Sequence, residues 1–322
     1  MSPFLDEYRA EHVRAWTRSR RLPLRLLDIP PSKAELRTRV STFDGGHTLA
    51  WLRTLESTSS ITWRAVRDVD TGHTVHIVSD RAALAPDFVA DLNLMLHILR
   101  FLTRGAPVVV YAWDQVWPRV LPPSTLPGRE HINGGWAVPG VREVHVYRRE
   151  EIHKVIIHEC IHALSLDVPH AAMIPLRHSL EGQDLGLGLG RTLWPHLGEC
   201  YTELLAEWLW TVIQGRDGST SHAARRWAAQ LQCSRGQAIQ VWARIRHSRD
   251  KPEDTNVFAY YVLKAVLMEH VEEVLGTATR SIAHWLNWWR AARPELNRAA
   301  DRLIAESTFE IQGMRMGMTC AH

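Results

Sequence analysis

Residues 158 to 162 read His-Glu-Cys-Ile-His, an H-E-x-x-H pattern within the stretch 150–167. Side chains four residues apart lie on one face of a helix, so His158 and His162 can direct two imidazole nitrogens at one metal ion. Glu159 lies about 100° further round the helix, where its carboxylate can reach a metal-bound water without being a ligand. The spacing therefore predicts a metal-binding helix with Glu159 as the general base.

The same pattern can arise by chance in a chain with 18 histidines, so its surroundings matter. The other faces of the helix are apolar and suited to packing against a core. A stripe of His, Glu and His on such a helix needs partners, because buried polar groups are nearly always hydrogen-bonded or ligated. A metal ion would supply them, and the alternative is that the histidines bond to backbone carbonyls. The apolar positions are Val155, Ile157, Ile161 and Leu164.

A third ligand is expected from the segment 196–208, HLGECYTELLAEW. Glu199, Glu203 and Glu207 are spaced one helical turn apart, and their like charges repel unless a cation lies near. The alternative, a solvated acidic face, is disfavoured by the large apolar residues around them. We expect Glu199 or Glu203 to complete a site with three protein ligands and one open position. The apolar neighbours are Leu204, Leu205, Trp208 and Leu209.

The stretch between His162 and Glu199 offers other third ligands. It contains His170, His178 and His196, and any of these imidazoles could take the place of the carboxylate.

The two segments HECIH and GECYTE together resemble the gluzincin metallopeptidases, the zinc clan that contains thermolysin and neprilysin. By this resemblance Glu199 of Gly198-Glu199 is the third zinc ligand, and Glu203 is the acid that steadies a ligand histidine, His158 or His162. The resemblance covers residues 131–207. The chain departs from the pattern by having Glu203 where the family has Asp, and by the long segment between the two motifs.

The resemblance also implies a fold and a substrate. Gluzincins have a sheet before the active-site helix, and its edge strand binds the substrate backbone by strand addition. The segment NGGWA, with Asn133, Gly134 and Gly135, or the segment 142–148 would supply that strand. The substrate is then an extended peptide or protein, and the cofactor is one Zn²⁺ per chain.

A peptide hydrolase also needs a group that stabilises the oxyanion, which in this clan is often Tyr or His. The late helical segment 256–270 offers Tyr260, Tyr261 and His270. Adjacent tyrosines point about 100° apart on a helix, so we expect at most one of the two to reach the metal. Core packing is the alternative role for either, and Tyr201 is a weaker candidate.

The pattern of elements predicts an α+β fold, and the resemblance implies that it is zincin-like. A helix is expected at 4–19, a strand at 47–56, a hairpin at 60–80 turning at 70–72, a helix at 85–104 and strands at 107–113 and 142–148. Further helices are expected at 195–213, 219–231, 234–247, 255–275 and 279–306. We expect an N-terminal helical segment (1–45), an upper lobe of sheet and motif helix (46–166), and a helical lower lobe supplying the third ligand (167–322).

Composition narrows the class of protein. The net charge is +3 and no Lys/Arg block is present, so nucleic acid is not an expected partner. No run of 18 apolar residues is present, so no membrane span is expected, and the N-terminus lacks a secretory h-region. The four cysteines do not form a disulfide framework, which favours a cytoplasmic location. Cys160 and Cys200 are expected to be buried, inert thiols, and a redox switch is the alternative.

Three functions fit these residues. The first is a zinc metallopeptidase. The second is an Fe(II) and 2-oxoglutarate-dependent peptide hydroxylase on the same helix, with Arg191 or Lys264 holding the co-substrate carboxylate. The third is a non-catalytic, metal-stabilised protein, which Glu159 argues against because a purely structural site prefers four closed ligands and no base.

Overall fold

The computed structural model describes residues 3–30, 33–40, 46–58, 61–103, 106–120, 129–167, 193–214, 220–245, 256–276 and 282–306. The chain divides into two units, which we call the sheet unit and the helical unit. The sheet unit contains Val13–Pro118 and Asn133–Leu166. The helical unit contains Met1–His12, Arg119–Ile132 and Asp167–His322.

All the described strands lie in the first half of the chain and the later elements are helical, which is compatible with an α+β protein. In chain order the elements of the first half are α1 (Pro3–Arg21), β1 (Leu26–Ile29), α2 (Lys33–Thr38), α3 (His47–Thr58), β2 (Thr62–Asp68), β3 (Thr74–Ser79), α4 (Pro86–Thr103), β4 (Val109–Asp114), α5 (Arg129–Ile132), β5 (Gly135–Ala137), β6 (Glu143–Val146) and α6 (Ile152–Ala163).

The six described strands form one mixed sheet in the order β1-β2-β3-β4-β6-β5. Strands β2 and β3 are the expected antiparallel hairpin, and Gly72 in its turn has a positive φ of 75° that favours glycine. Strands β3, β4 and β6 run parallel, and α4 makes the crossover between β3 and β4. Strand β5 pairs antiparallel with β6 at one end of the sheet. Of the two segments expected to supply an edge strand, the structure therefore places NGGWA at the edge.

The predicted strand at 47–56 is wrong, because this segment forms helix α3. Its buried residues, Thr48, Leu52 and Leu55, recur at helical spacing. A short apolar run fits either structure by periodicity alone. Leu52 packs into a core cluster with Leu36 of α2 and with sheet residues, so tertiary contacts decide the outcome. The sheet residues of the cluster are Val78, Tyr111 and Trp113, joined by Tyr147 just after β6.

A stack of rings runs across the strands of this sheet. The Trp136 indole of β5 lies on the His145 imidazole of β6, with centroids 3.8 Å apart and planes 7° apart. His145 stacks in turn on Tyr111 of β4 at 5.0 Å, and Tyr111 on His76 of β3 at 4.9 Å. Burial lowers the pKa of His145 to about 4, so its ring is neutral at pH 7. The stack joins the edge strand to the middle of the sheet.

The helical unit has longer helices. Its later elements are α7 (Leu193–Gln214), α8 (Thr220–Ile245), a π-helical turn (Phe258–Leu263), α9 (Lys264–Glu269), α10 (Val271–Gly276) and α11 (Ile282–Glu306). The two helices predicted at 219–231 and 234–247 are one helix, α8. Gly236 in its middle costs helix stability, but buried side chains on both sides of it keep the helix intact. These are Trp227, Ala238, Val241 and Trp242.

Tryptophans form much of the core of the helical unit. Trp208 and Trp227 meet edge to face at 5.3 Å, and Trp242 and Trp289 meet edge to face at 5.4 Å. Phe258 of the π-helical turn also packs edge to face on Trp289, at 5.4 Å. The π-helical turn is therefore anchored in a packed aromatic cluster.

Within the described residues, no helix combines the length and the apolar character that crossing a membrane requires. Cys160 and Cys200 are buried free thiols, as expected. Burial raises the pKa of both thiols, which makes them poor nucleophiles at neutral pH. Cys233 is disulfide-bonded, which the sequence analysis did not predict.

Candidate metal centre

The H-E-x-x-H motif lies in the second half of α6, as predicted. The helix follows a 3-10 turn (Arg149–Glu151) and is buried along nearly its whole length. It packs against β5, β6 and α4 of the sheet unit. His158 is 4% exposed and Glu159 is 7% exposed. The motif therefore places polar side chains on a helix that is packed on most of its faces.

The two motif histidines are neighbours on one face of α6. The ring centroids of His158 and His162 lie 5.0 Å apart, with an angle of 71° between the planes. The helix stops shortly afterwards, where the Leu164 amide donates to the carbonyls of Cys160 and His162. The two imidazoles are therefore neighbours, and their binding of one metal ion stays a prediction.

Gly135 of β5 lies directly against the motif helix. A Cβ at Gly135 would lie 3.1 Å from Glu159 Cγ, 2.8 Å from Val155 Cγ1 and 2.5 Å from the His145 carbonyl oxygen. Any side chain there would displace the helix or the strand. The absent side chain of Gly135 thus lets the edge strand pass beside the proposed general base.

The residues before β5 are fixed by the backbone and by a buried arginine. Arg148 donates from Nε to the Asn133 carbonyl at 2.8 Å and from Nη1 to the Trp117 carbonyl at 2.9 Å. Its guanidinium also lies 4.0 Å from the centroid of the Trp117 ring. The Tyr147 amide donates to the Gly134 carbonyl at 2.9 Å. The carbonyls of Asn133 and Gly134 are therefore engaged inside the sheet unit.

The hydrogen bond from the Tyr147 amide to the Gly134 carbonyl also determines which way the backbone groups of Gly135 point. Residues of an antiparallel pair alternate between hydrogen-bonded and non-hydrogen-bonded pairs. Because Gly134 is bonded to Tyr147, the following pair, Gly135 with Val146, is a non-bonded one. The amide and carbonyl of Gly135 consequently point away from β6 and outward from the edge of the sheet.

Glu199, the predicted third ligand, lies near the start of α7 in the helical unit and is partly exposed. The Tyr260 hydroxyl donates to Glu199 Oε2 at 3.3 Å. The residue predicted to stabilise an oxyanion thus bonds to the residue predicted to bind the metal. Tyr261 is fully buried, with its ring centroid 6.0 Å from Lys264 Nζ. The two adjacent tyrosines therefore differ in environment, and Tyr261 is part of the core.

Glu203 and Glu207 lie one and two turns after Glu199, and both are fully buried. The ammonium of Lys264, also 0% exposed, lies 3.8 Å from Glu203 Oε1 and 3.6 Å from Glu207 Oε2. The structure thus places the Lys264 ammonium inside the helical unit against two carboxylates. The steadying of a ligand histidine by Glu203 stays a prediction.

His270 and Tyr201 were the remaining candidates for the group that stabilises the oxyanion. His270 stacks on Trp288 at 4.4 Å, and its Nδ1 lies 3.7 Å from Glu273 Oε1. Tyr201 lies close enough to Tyr8 to help burial raise the pKa of Tyr8 to about 12. His170, His178 and Arg191 lie outside the described residues, as does the side chain of His196.

An ion network at the start of the motif helix was missed by the sequence analysis. The Asp114 carboxylate, at the end of β4, is fully buried and accepts from Ser79 Oγ at 2.6 Å, Arg81 Nε at 2.8 Å and Arg149 Nε at 2.9 Å. Arg149 lies in the 3-10 turn that leads into α6 and also bonds to Asp80. A charged residue directly after an apolar strand was the only sequence signal for this network.

The chain matches no family model, and no curated protein or solved structure matches it either. The case for a function therefore rests on the residues described above.

Proposed function

We propose that the protein is a zinc-dependent metallopeptidase in which His158, His162 and Glu199 bind one zinc ion and Glu159 is the general base. The observation that carries the proposal is the arrangement on α6. Two adjacent imidazoles and a carboxylate, with His158 and Glu159 nearly buried, lie beside a strand that runs along the sheet edge. The zincin-like fold is part of the same proposal.

The donor set fits zinc. Two imidazole nitrogens and one carboxylate are a common ligand set of catalytic zinc, which keeps its fourth position open. His158 and Glu159 are nearly buried on α6, where the packed surroundings would shield a bound metal ion from bulk water.

A zinc ion held by His158, His162 and Glu199 would lower the pKa of a coordinated water and polarise the substrate carbonyl. Glu159 takes the proton of the attacking water and passes it to the leaving nitrogen. The outward-facing amide and carbonyl of Gly135 pair with the backbone of an extended peptide, which aligns the scissile bond with Glu159. Burial of α6 keeps bulk water from the carboxylate and favours proton transfer.

Of the two residues predicted to bind the 2-oxoglutarate carboxylate in the hydroxylase alternative, Lys264 is unsuitable. A 2-oxoglutarate carboxylate needs an accessible cation, whereas Lys264 is 0% exposed and paired with Glu203 and Glu207. No described residue favours iron over zinc, so we do not propose this second function.

The test is the metal content of untagged protein, measured by mass spectrometry, together with cleavage of a peptide library. We expect about one zinc per chain in the wild type and in Glu159→Gln, and none in Glu199→Ala. Cleavage should fall by about 10²- to 10⁴-fold in Glu159→Gln, since only the base is lost. Glu295→Gln, a change of an exposed glutamate on α11, is the matched control and should behave as wild type.

Three results would contradict the proposal. Zinc retained in Glu199→Ala would place the third ligand elsewhere. Iron in place of zinc, with oxygen consumption that depends on 2-oxoglutarate, would support the hydroxylase. A protein that binds no metal in any preparation would make the motif a coincidence.

A further inference from the structure

We propose that Tyr260 and Lys264 are positioning residues that set the orientation of Glu199, and that the π-helical turn is the element that presents them to α7. This inference rests on the proposed function, because it takes Glu199 to be a metal ligand. It replaces the expected role of Tyr260 as an oxyanion stabiliser with a contact to the ligand itself.

The first contact fixes one oxygen of Glu199. A carboxylate has two oxygens, and the Tyr260 hydroxyl donates to Oε2. Oε1 is then the oxygen that we propose binds the metal ion. The contact therefore favours a carboxylate that binds through one oxygen, and it limits rotation about the last side-chain bond of Glu199. Partners of this kind typically orient metal ligands and raise metal affinity.

The second contact fixes the helix that carries Glu199. The Lys264 ammonium lies within 4 Å of both Glu203 and Glu207, and all three side chains are 0% exposed. Removing one partner of a buried ion pair leaves a charge without compensation, which is strongly unfavourable. Sliding or rotating α7 would separate these charges, so Lys264 holds the helix in the rotation that presents Glu199.

The π-helical turn accounts for the placement of both residues. It contains Tyr260 and ends at Leu263, directly before Lys264. One extra residue in a helical turn rotates all later side chains relative to the earlier ones, and π turns are rare and often found at functional sites. Here Tyr260 and Lys264 both contact α7, whereas Tyr261 is buried in the core. Phe258 anchors the start of the turn against Trp289.

The experiment compares Tyr260→Phe with Tyr261→Phe in the full chain. Both changes remove one hydroxyl and keep the ring, but only Tyr260 contacts Glu199. Co²⁺ is titrated into metal-free protein, and both the dissociation constant and the visible absorption spectrum are recorded. We expect Tyr260→Phe to weaken Co²⁺ binding by about 10- to 100-fold and to alter the spectrum, while Tyr261→Phe keeps the wild-type spectrum and affinity.

Glu199→Gln, measured in the same way, separates the two proposals. If Glu199→Gln binds Co²⁺ as the wild type does, Glu199 is not a ligand, and both the proposed site and this inference fail. If Glu199→Gln loses affinity but Tyr260→Phe does not, the metal site stands and the positioning role is overturned. A Tyr260→Phe protein with normal affinity and spectrum but slower peptide cleavage would also overturn it, since Tyr260 would then act on the substrate.

Lys264→Met tests the second contact. The side chain keeps its length and loses its charge, and we expect weaker Co²⁺ binding together with a lower melting temperature. Should this variant fail to fold, Glu207→Gln takes its place, and Co²⁺ affinity equal to that of the wild type would refute the role of Lys264. A double-mutant cycle in metal-free protein tests the Tyr260 contact separately. Tyr260→Phe and Glu199→Gln should then change the melting temperature non-additively, whereas additive changes would refute the contact.

Discussion

Gly135 is important because it has no side chain. Its backbone passes so close to α6 that the carbonyl of His145 and the side chains of Val155 and Glu159 occupy the space a Cβ needs. The sequence NGGWA gave no sign of this, because the contact joins residues that are distant in the chain. The position of Glu159, the proposed general base, thus depends on a residue with no functional group.

Gly135→Ala should destabilise the fold by about 1–3 kcal/mol through overpacking, and it should lower peptidase activity because Glu159 is displaced. Chemical denaturation and peptide cleavage measure the two effects. Gly236→Ala is the control, since it adds the same atom to a helix where nothing lies within 4 Å. That change should stabilise the protein by about 1 kcal/mol. Equal effects of the two substitutions would refute the close approach.

His73 makes folding stability depend on pH. The Val108 amide donates to His73 Nδ1 at 3.1 Å, so the ring proton is on Nε2 and is donated to Thr103 Oγ1 at 3.0 Å. Burial lowers the pKa of His73 from its ordinary value of 6.5 to about 4. Between these values the unfolded chain binds a proton and the folded chain does not, so stability is present above pH 6.5 and is lost as the pH falls towards 4.

The free energy of unfolding should therefore decline between pH 7 and pH 4, by roughly 3 kcal/mol from His73 alone. His73→Gln should have a shallower decline over that window in urea denaturation. A decline of unchanged slope would show that His73 is not responsible.

The start of helix α6 is held in place by ion pairs of Asp114. This carboxylate joins the ends of β3 and β4 to the 3-10 turn before the motif through Arg81 and Arg149. Asp114→Asn should lower stability by about 1.5–3 kcal/mol, because Arg81 and Arg149 each lose one charged partner while Asp87, Asp91 and Asp80 remain. Asp28→Asn breaks the exposed pair with Arg64 and should cost less than about 1 kcal/mol. Thermal unfolding of both variants tests this, and similar melting temperatures would contradict it.

Helices and strands were predicted correctly where the hydrophobic period was long and regular. The helices around Phe88 and around the motif, and the hairpin around Gly72, follow from local periodicity. Helix α3 was mistaken for a strand, because a short apolar run carries little period. Helix α8 was wrongly divided at residues 232 and 233, although the helix is continuous there. The spacing of His158 and His162 predicted their contact, since it depends only on helix geometry.

Other parts of the candidate site could not be predicted. The bond from Tyr260 to Glu199 and the pairing of Lys264 with two glutamates join segments distant in the chain. No local pattern in the sequence specifies such contacts. The π-helical turn that presents these residues also leaves no simple sequence period.

Zinc bound at the proposed site would add to the stability of the whole folded chain. A ligand that binds only the folded state raises the free energy of unfolding with its concentration, by about 4 kcal/mol at 1,000 times its dissociation constant. Removing zinc with a chelator should therefore lower the melting temperature of the wild type, and adding zinc back should restore it. The melting temperature of Glu199→Ala should not respond to either treatment. A response equal to that of the wild type would argue against Glu199 as a ligand.

The ring stack that begins at Trp136 has an optical consequence. An indole held 3.8 Å from the His145 imidazole, in a fixed and asymmetric setting, contributes to the near-ultraviolet circular dichroism of the folded protein. Trp136 lies on β5 between Gly135 and Ala137, at the edge where the peptide is proposed to pair. The difference spectrum between the wild type and Trp136→Phe isolates its signal. The protein thus carries an intrinsic chromophore that reports on its edge strand without any added label.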